Sequence, residues 1–194
     1  MRQGVTVGYS ESVNEATALM AKNENYFEKT EFSLSTLLNE VVEELLPLAT
    51  TKFVKINIIK HQKMPSTLSS DPVRLKLVLL NIIGSALKFV QDTEIDVFVE
   101  CKATSSNTKK LLQVTVQESK TIKKDLSLGR QFGGFRLELY QTKRMARMLG
   151  GDVVLKFSTP DLGASFVATF LVNDNGDGDV GDDVGDSYAP AFIH

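Results

Sequence analysis

Two features of this sequence could take part in chemistry, a segment that begins like a calcium loop and a single cysteine. Their residues argue against both a calcium site and a disulfide. Segment 173–184 begins like a calcium loop, with Asn or Asp at its first three ligand positions. However, Val184 stands at the twelfth position, where such a loop needs a bidentate Glu. Cys101 is the one cysteine, so an intrachain disulfide is excluded. We expect no calcium site here, and we expect Cys101 to be a small buried side chain on a strand.

The composition predicts an ordinary soluble domain in a reducing compartment, which favours the cytoplasm. The hydrophobic fraction is 42% and the charged fraction 24%. No run of about 18 apolar residues is present, so we expect no direct membrane contact. Six Asp and no Lys or Arg follow Asn173, and removing them from the net charge of −2 leaves +4 on the first 172 residues. This small excess is too weak to indicate nucleic-acid binding.

Hydrophobic periodicity predicts the elements that must position any site. Three helices are expected at residues 33–46, 73–89 and 135–149. The first begins at Ser33 and is limited by Pro47, the second begins at Asp71-Pro72, and Gly150 closes the third in a left-handed conformation. The Ser/Thr-rich stretch around Pro65 is expected to be a loop. Five strands are predicted, at residues 53–59, 94–101, 111–117, 153–157 and 165–172.

A further helix is expected at residues 12–26, with apolar side chains near one face. These are Val13, Ala16, Leu19 and Met20, followed by Phe27. Such a helix is too short to be a domain and too apolar on one side to stand alone. We expect it to pack either on the rest of this chain or on a second copy.

The mixed order of helices and strands predicts an open, two-layer α+β sandwich: a mixed sheet with its helices on one face. Three segments carry a resemblance to a known family, namely 28–38, 71–89 and 142–166. Together they resemble the catalytic ATP-binding domain of sensor histidine kinases, which has the Bergerat fold. The resemblance implies the end of a dimerisation-helix region at residues 1–30 and the ATPase-like domain at 31–172. The Gly/Asp-rich composition of residues 173–194 predicts an acidic, disordered tail or linker.

The family binds ATP with Mg²⁺ through an asparagine box, a pair of Asn one helical turn apart. Asn81 matches the first of the pair, and Ser85 stands in place of the second, which normally ligates Mg²⁺. Lys88 matches a basic residue that accompanies the box. The alternative is that Asn81 has no role in binding and is a polar residue whose hydrogen bonds are satisfied within a buried helix.

Two glycine-rich boxes complete the family's nucleotide site, and both are altered here. Glu118 falls where an Asp accepts the adenine amino group, and Lys120 replaces a glycine at which the backbone approaches the base. Gly133 and Gly134 match part of the second box, whose amides cradle phosphates at a helix N-terminus. Neither histidine, His61 nor His194, has the setting of the family's phosphate acceptor.

Three functional hypotheses remain open. The first is a degenerate domain that binds no ATP and acts by contact, docking a response-regulator receiver domain or its own dimerisation domain, with a homodimer included. The second is an active kinase with a reshaped Mg²⁺–ATP site. The third is an unrelated α+β interaction domain. A basic docking face would include Lys123, Lys124, Arg144 and Arg147, although these charges are equally typical of a solvated surface.

Overall fold

The computed structural model describes residues 28–61, 64–88, 90–106, 108–118, 135–157, 164–174 and 187–188. Three helices lie in this part of the chain: α1 Leu34–Thr51, α2 Pro72–Lys88 and α3 Phe135–Met148. The strands are β1 Thr30–Ser33, β2 Val54–Lys60, β3 Thr67–Ser70, β4 Thr93–Ala103, β5 Lys109–Glu118, β6 Asp152–Phe157, β7 Ala164–Asp174 and β8 Ser187–Tyr188.

These strands form one mixed sheet in the order β1-β3-β7-β5-β4-β2-β8, with β6 also paired to β7. Only β2 and β4 run parallel among the described pairs. Helix α2 lies between α1 and α3, and the three helices pack on one face of the sheet. The two-layer α+β sandwich expected from the sequence is therefore confirmed.

The core lies between the sheet and the helices. Helix α1 contributes the apolar stripe expected from its periodicity, including the fully buried Leu38, Val41 and Leu45. Leu46 belongs to the same sequence pattern but is 42% exposed, because around the helix axis it lies just outside the buried stripe. Alternate residues of the central strands meet these helices, as in Ile95, Val97 and Val99 of β4.

The expectation that Pro47 limits the first helix is wrong, since α1 continues through it to Thr51. Proline removes the hydrogen bond to the carbonyl four residues earlier, that of Glu43. Glu43 and Pro47 are both exposed, so water can satisfy that carbonyl. Beyond the proline, Ala49 is buried and the Thr51 Oγ1 donates to the Pro47 carbonyl at 2.8 Å, which together hold the last turn.

The loop expected around Pro65 is also partly wrong, because Thr67–Ser70 forms β3. This strand pairs with β1 on one side and with β7 on the other. Leu68 is fully buried and Ser70 is 3% exposed. Pairing on both edges and burial override the low strand propensity of serine. Strand β1 was not expected either.

The end of the chain departs in two places from the expectation of a disordered tail that starts at residue 173. Strand β7 runs on to Asp174, and the Asp174 carboxylate lies 3.7 Å from Lys110 Nζ. Ser187 and Tyr188 pair antiparallel with β2. Residues 175–186 and 189–194 lie outside the described residues.

Candidate functional site

The two residues of the asparagine-box match lie on the central helix. Asn81 and Ser85 are one turn apart on α2 and are 8% and 7% exposed. Gly84 lies beside them, where an added Cβ would stand 3.5 Å from Leu45 Cδ2. Helix α2 packs on α1, α3, β5 and β7, and both polar side chains are largely buried.

The other residues expected at the site lie at the ends of elements. Lys88 is exposed in the last turn of α2, and its carbonyl accepts a hydrogen bond from Lys52 Nζ at 2.7 Å. Glu118 is the last residue of β5, half-buried and opposite Ile95 in the sheet register. Gly133 and Gly134 lie outside the described residues, as does Lys120.

A buried ion pair fixes the start of α2. Asp71 and Arg74 are 2% and 1% exposed, and Arg74 Nη1 contacts Asp71 Oδ2. The other carboxylate oxygen accepts the Arg74 backbone N–H at 3.0 Å, which is the geometry of an N-cap. The cap was expected from Asp71-Pro72, whereas the buried guanidinium was not.

The basic residues proposed for docking are partly engaged within the molecule. Arg147 is exposed on α3, with its Nε 3.5 Å from Asp152 Oδ1, and Lys143 Nζ lies 3.3 Å from the other oxygen of that carboxylate. Arg144 is half-buried. Asp152 therefore compensates part of the charge on this helix. Lys123 and Lys124 lie outside the described residues.

A separate groove of about 520 Å³ opens between the N-terminal ends of α1 and α2. Its lining includes Phe32, Leu37 and Val73, with Glu40 and Lys76 on the lining as well. Lys76 Nζ lies 2.7 Å from Glu40 Oε2 and makes a second, equally short contact with Glu44. This groove is at the other end of α2 from Ser85 and Lys88.

The described ranges contain neither a cluster of metal-ligating side chains nor a helix that could span a membrane. Within them, no group of three or more His, Cys, Asp or Glu side chains is arranged to hold a metal ion. Nor does any helix in the same ranges have the length and hydropathy needed to span a bilayer.

Relatives in sequence are sensor kinases from several organisms. The histidine-protein kinase BarA of Escherichia coli (strain K12) is 29% identical over 153 residues, which is 72% of this chain and 16% of that protein. The sensor protein GacS of Pseudomonas syringae is 30% identical over 149 residues, 70% of this chain and again 16% of the relative. No family model matches the chain. The chain thus spans about a sixth of the length of these curated relatives.

Solved structures of histidine kinases have a similar fold. The catalytic domain of the histidine kinase ThkA has a TM-score of 0.53 at 19% identity, covering 74% of this chain and 96% of that one. A second structure, ThkA in complex with the response regulator protein TrrA, has a TM-score of 0.59 at 20% identity, with 87% and 48% covered. The chain carries a sensor histidine kinase domain.

Within this histidine kinase domain, sequence reasoning located α2, the helix that carries the asparagine-box match (the box helix). It missed several polar residues on and around this helix. Lys52, Arg74 and the 2%-exposed Thr142 were not singled out as contacts of the helical layer. Thr142 opens one of the segments that carry the resemblance, and Lys52 follows the last turn of a helix, where basic side chains commonly bind carbonyls. Asp152 directly follows the Gly-Gly pair, but its ion pairs depend on the return of the chain beside α3.

Proposed function

We propose that this histidine kinase domain does not bind ATP and acts in two-component signalling by contact with other protein domains. The observation that carries the proposal is the burial of the asparagine-box residues: Asn81 is 8% exposed and Ser85 7%. A Mg²⁺ ligand must reach out to an ion that keeps several waters, and a serine hydroxyl is shorter than an asparagine amide. At 7% exposure, Ser85 also leaves little access for such a hydrated ion.

The substituted boxes support the same proposal. Glu118, Lys120 and Ser85 each replace a residue that the family uses to hold the nucleotide. Each lost contact costs about 1–3 kcal/mol. Three of them would remove about 3–9 kcal/mol if their effects add, against a total of about 8 kcal/mol for a micromolar ligand. We therefore expect no measurable affinity.

Calorimetric titration of the chain with ATP or ADP, with and without Mg²⁺, tests this proposal. We expect no saturable heat. A dissociation constant below about 100 μM, corresponding to about 5.5 kcal/mol, would contradict it. The variant Asn81→Ala is the matched control, because any heat that arises at the box must disappear with this amide.

The second candidate is an active kinase that binds Mg²⁺–ATP and phosphorylates a histidine on a dimerisation domain. It is favoured by the retention of Asn81 at the box position and Lys88 one turn beyond Ser85. Here the Asn81→Ala variant would lose both nucleotide binding and phosphorylation. Ser85→Asn, which restores the family's amide, would strengthen binding.

The partner we propose is a response-regulator receiver domain or the dimerisation domain of the parent kinase, including a homodimer formed through it. Support comes from ThkA, which was solved in complex with a response regulator. Titration against receiver domains of the source organism, one at a time, would identify the partner. Arg147→Glu tests the basic face of α3, and Lys156→Glu on the neighbouring β6 is the matched charge reversal. Equal affinity of both variants would exclude that face.

A further inference from the structure

An apolar row crosses the face of the sheet that points away from the helices. Five strands each contribute one residue to it, and the pairings place these residues side by side. In the order β2, β4, β5, β7 and β6, the apolar row consists of Ile59, Phe98, Thr115, Val167 and Val154. Ile59 is 39% exposed and Val154 43%, while the three residues between them are half-buried. Among the described elements, none packs against this face, since α1, α2 and α3 all lie on the opposite one.

Most charges beside the apolar row are compensated within the same molecule. The ion pairs are Glu94 with Lys55, Glu100 with Lys102, and Asp152 with Lys143 and Arg147. Two further charges flank the row, Asp96 and Lys156, and neither forms an ion pair with another described residue. Lys156 is exposed, and Asp96 accepts a hydrogen bond from the neutral amide of Asn57, which leaves its charge in place. One uncompensated charge of each sign therefore lies beside the row.

These two charges lie in one flanking row, on opposite sides of β5. The register runs from Asp96 on β4 through Gln117 and Ser165 to Lys156 on β6. The acidic charge is thus in the half of the face formed by β2 and β4, and the basic charge in the half formed by β7 and β6.

The middle position of β5 allows this face to pair with itself. A two-fold axis along β5 turns a second copy face to face with the first, keeps each level along the strands and reverses the strand order. Strand β6 of one copy then lies over β2 of the other, in the aligned geometry of packed sheets. The two apolar rows superpose, with Thr115 opposite Thr115, Phe98 opposite Val167 and Ile59 opposite Val154.

The same rotation brings the two uncompensated charges together. Asn57 on β2 pairs with Asp96 in the register, so Lys156 of the second copy lies over Asn57. Asn57 Nδ2 donates to Glu94 Oε2 at 2.7 Å and to Asp96 Oδ1 at 2.9 Å, which holds both carboxylates at this position. Packed sheets lie about 10 Å apart, a gap that lysine and carboxylate side chains can bridge together. Symmetry produces this contact twice.

We propose that this face of the sheet pairs with the same face of a second copy of the chain in a two-fold dimer. The apolar rows are in contact at its centre, and Lys156 of each copy contacts Asp96 of the other. The proposal does not depend on whether the nucleotide site is functional, and the pairing requires no dimerisation domain.

The size of the face predicts a weak dimer. Five strands about 4.8 Å apart and three rows of side chains about 7 Å apart cover about 500 Å² per copy. A standard interface covers about 800 Å² per partner. We therefore expect a dissociation constant of about 100 μM for free chains. Pairing becomes dominant where two copies are held together, because tethering provides an effective concentration of about a millimolar.

Analytical ultracentrifugation of the full chain between about 10 and about 500 μM tests for the dimer. We expect a reversible monomer–dimer equilibrium. Lys156→Glu alone and Asp96→Lys alone should each weaken it at least about tenfold, because both contacts then join like charges. An equimolar mixture of the two variants should restore it, because each contact of the mixed dimer again joins opposite charges. Lys29→Glu, an exposed charge reversal outside this face, should leave it unchanged.

A chain that remains monomeric over this range overturns the proposal. A dimer that the reversals do not weaken, or that mixing fails to restore, overturns it as well, because its interface is then elsewhere. Circular dichroism establishes that each variant is folded. If Asp96→Lys does not fold, Val154→Glu replaces it, since it places a charge against Ile59 of the other copy. This variant should weaken the dimer by a similar factor, and unchanged association would again overturn the proposal.

Discussion

Lys52, just beyond the end of α1, closes the C-terminal end of α2 through the carbonyl of Lys88. Its Nζ donates to that oxygen at 2.7 Å and reaches the Val90 carbonyl at 3.4 Å. The backbone carbonyl of Lys52 in turn accepts the Asp92 N–H at 3.0 Å. One residue thereby ties the box helix to the segment that leads into β4, with its charge at the negative end of the helix dipole.

Replacing Lys52 by Met should destabilise the fold by about 1 kcal/mol, because it removes a charged donor from two carbonyls. Burial lowers the pKa of Lys52, so desolvation offsets part of the gain from these bonds. Urea unfolding followed by circular dichroism measures the change. Lys55→Met is the control, since its 4.0 Å contact with Glu94 is long and partly exposed and should contribute little.

Substitution of glycine by alanine should lower the stability of the fold at Gly151 and leave it unchanged or raise it at Gly84. A Cβ at Gly151 would stand 1.7 Å from the Thr169 carbonyl oxygen, so Gly151→Ala must displace β7 and should cost at least about 2 kcal/mol. A Cβ at Gly84 would meet only Leu45 Cδ2, at 3.5 Å, so Gly84→Ala should be neutral or stabilise α2 by up to about 1 kcal/mol. Thermal unfolding midpoints distinguish the two. Equal midpoints would contradict the close approach of Gly151 to β7.

The ion pair of Asp71 and Arg74 should be costly to break from either side. Asp71→Asn keeps an acceptor for the helix cap but leaves a buried guanidinium without its counter-charge, at a cost of about 3 kcal/mol. Arg74→Met should cost a similar amount, and the double variant less than the sum. Urea unfolding of the three proteins gives the coupling. Lys76→Met, which breaks partly exposed contacts with Glu40 and Glu44, should cost less than about 1 kcal/mol.

Cys101 should make the fold sensitive to alkali. Burial raises the pKa of this thiol from 9.0 to about 11. The folded state therefore holds the proton more tightly than the unfolded state, so this contribution to stability is complete below pH 9 and is lost as the pH rises through 11. With allowance for partial exposure, we expect a loss of about 1 kcal/mol.

The same burial predicts slow modification of Cys101 by a disulfide reagent at pH 8, because little thiolate is present. The unfolded chain in urea should react much faster. Cys101→Ala should show a flatter dependence of the unfolding free energy on pH between 9 and 11 than the native chain. Parallel curves for the two proteins would contradict the raised pKa.

The sequence predicted those elements whose residues repeat with a clear period. The stripe of α1, the buried helix α2, the left-handed Gly150 with φ 70°, and the β6–β7 hairpin all follow from local pattern. Strands β1 and β3 could not be predicted in this way, because four residues of mixed polarity become strands only when partners border them. For the same reason, the contacts of Lys52 with Lys88 and of Arg147 with Asp152 depend on elements that meet only in the folded chain.

The position of β7 in the sheet determines when the sheet can be completed during synthesis of the chain. It is the last long strand of the described chain, yet it lies in the middle of the sheet, between β3 and β5. A nascent chain that has not yet emerged through Asp174 exposes the unpaired edges of both neighbours, and such edges are templates for association with other chains. Premature termination anywhere before Ala164 should thus yield an aggregating fragment rather than a smaller stable domain, and completion of the sheet must wait until synthesis has passed this strand.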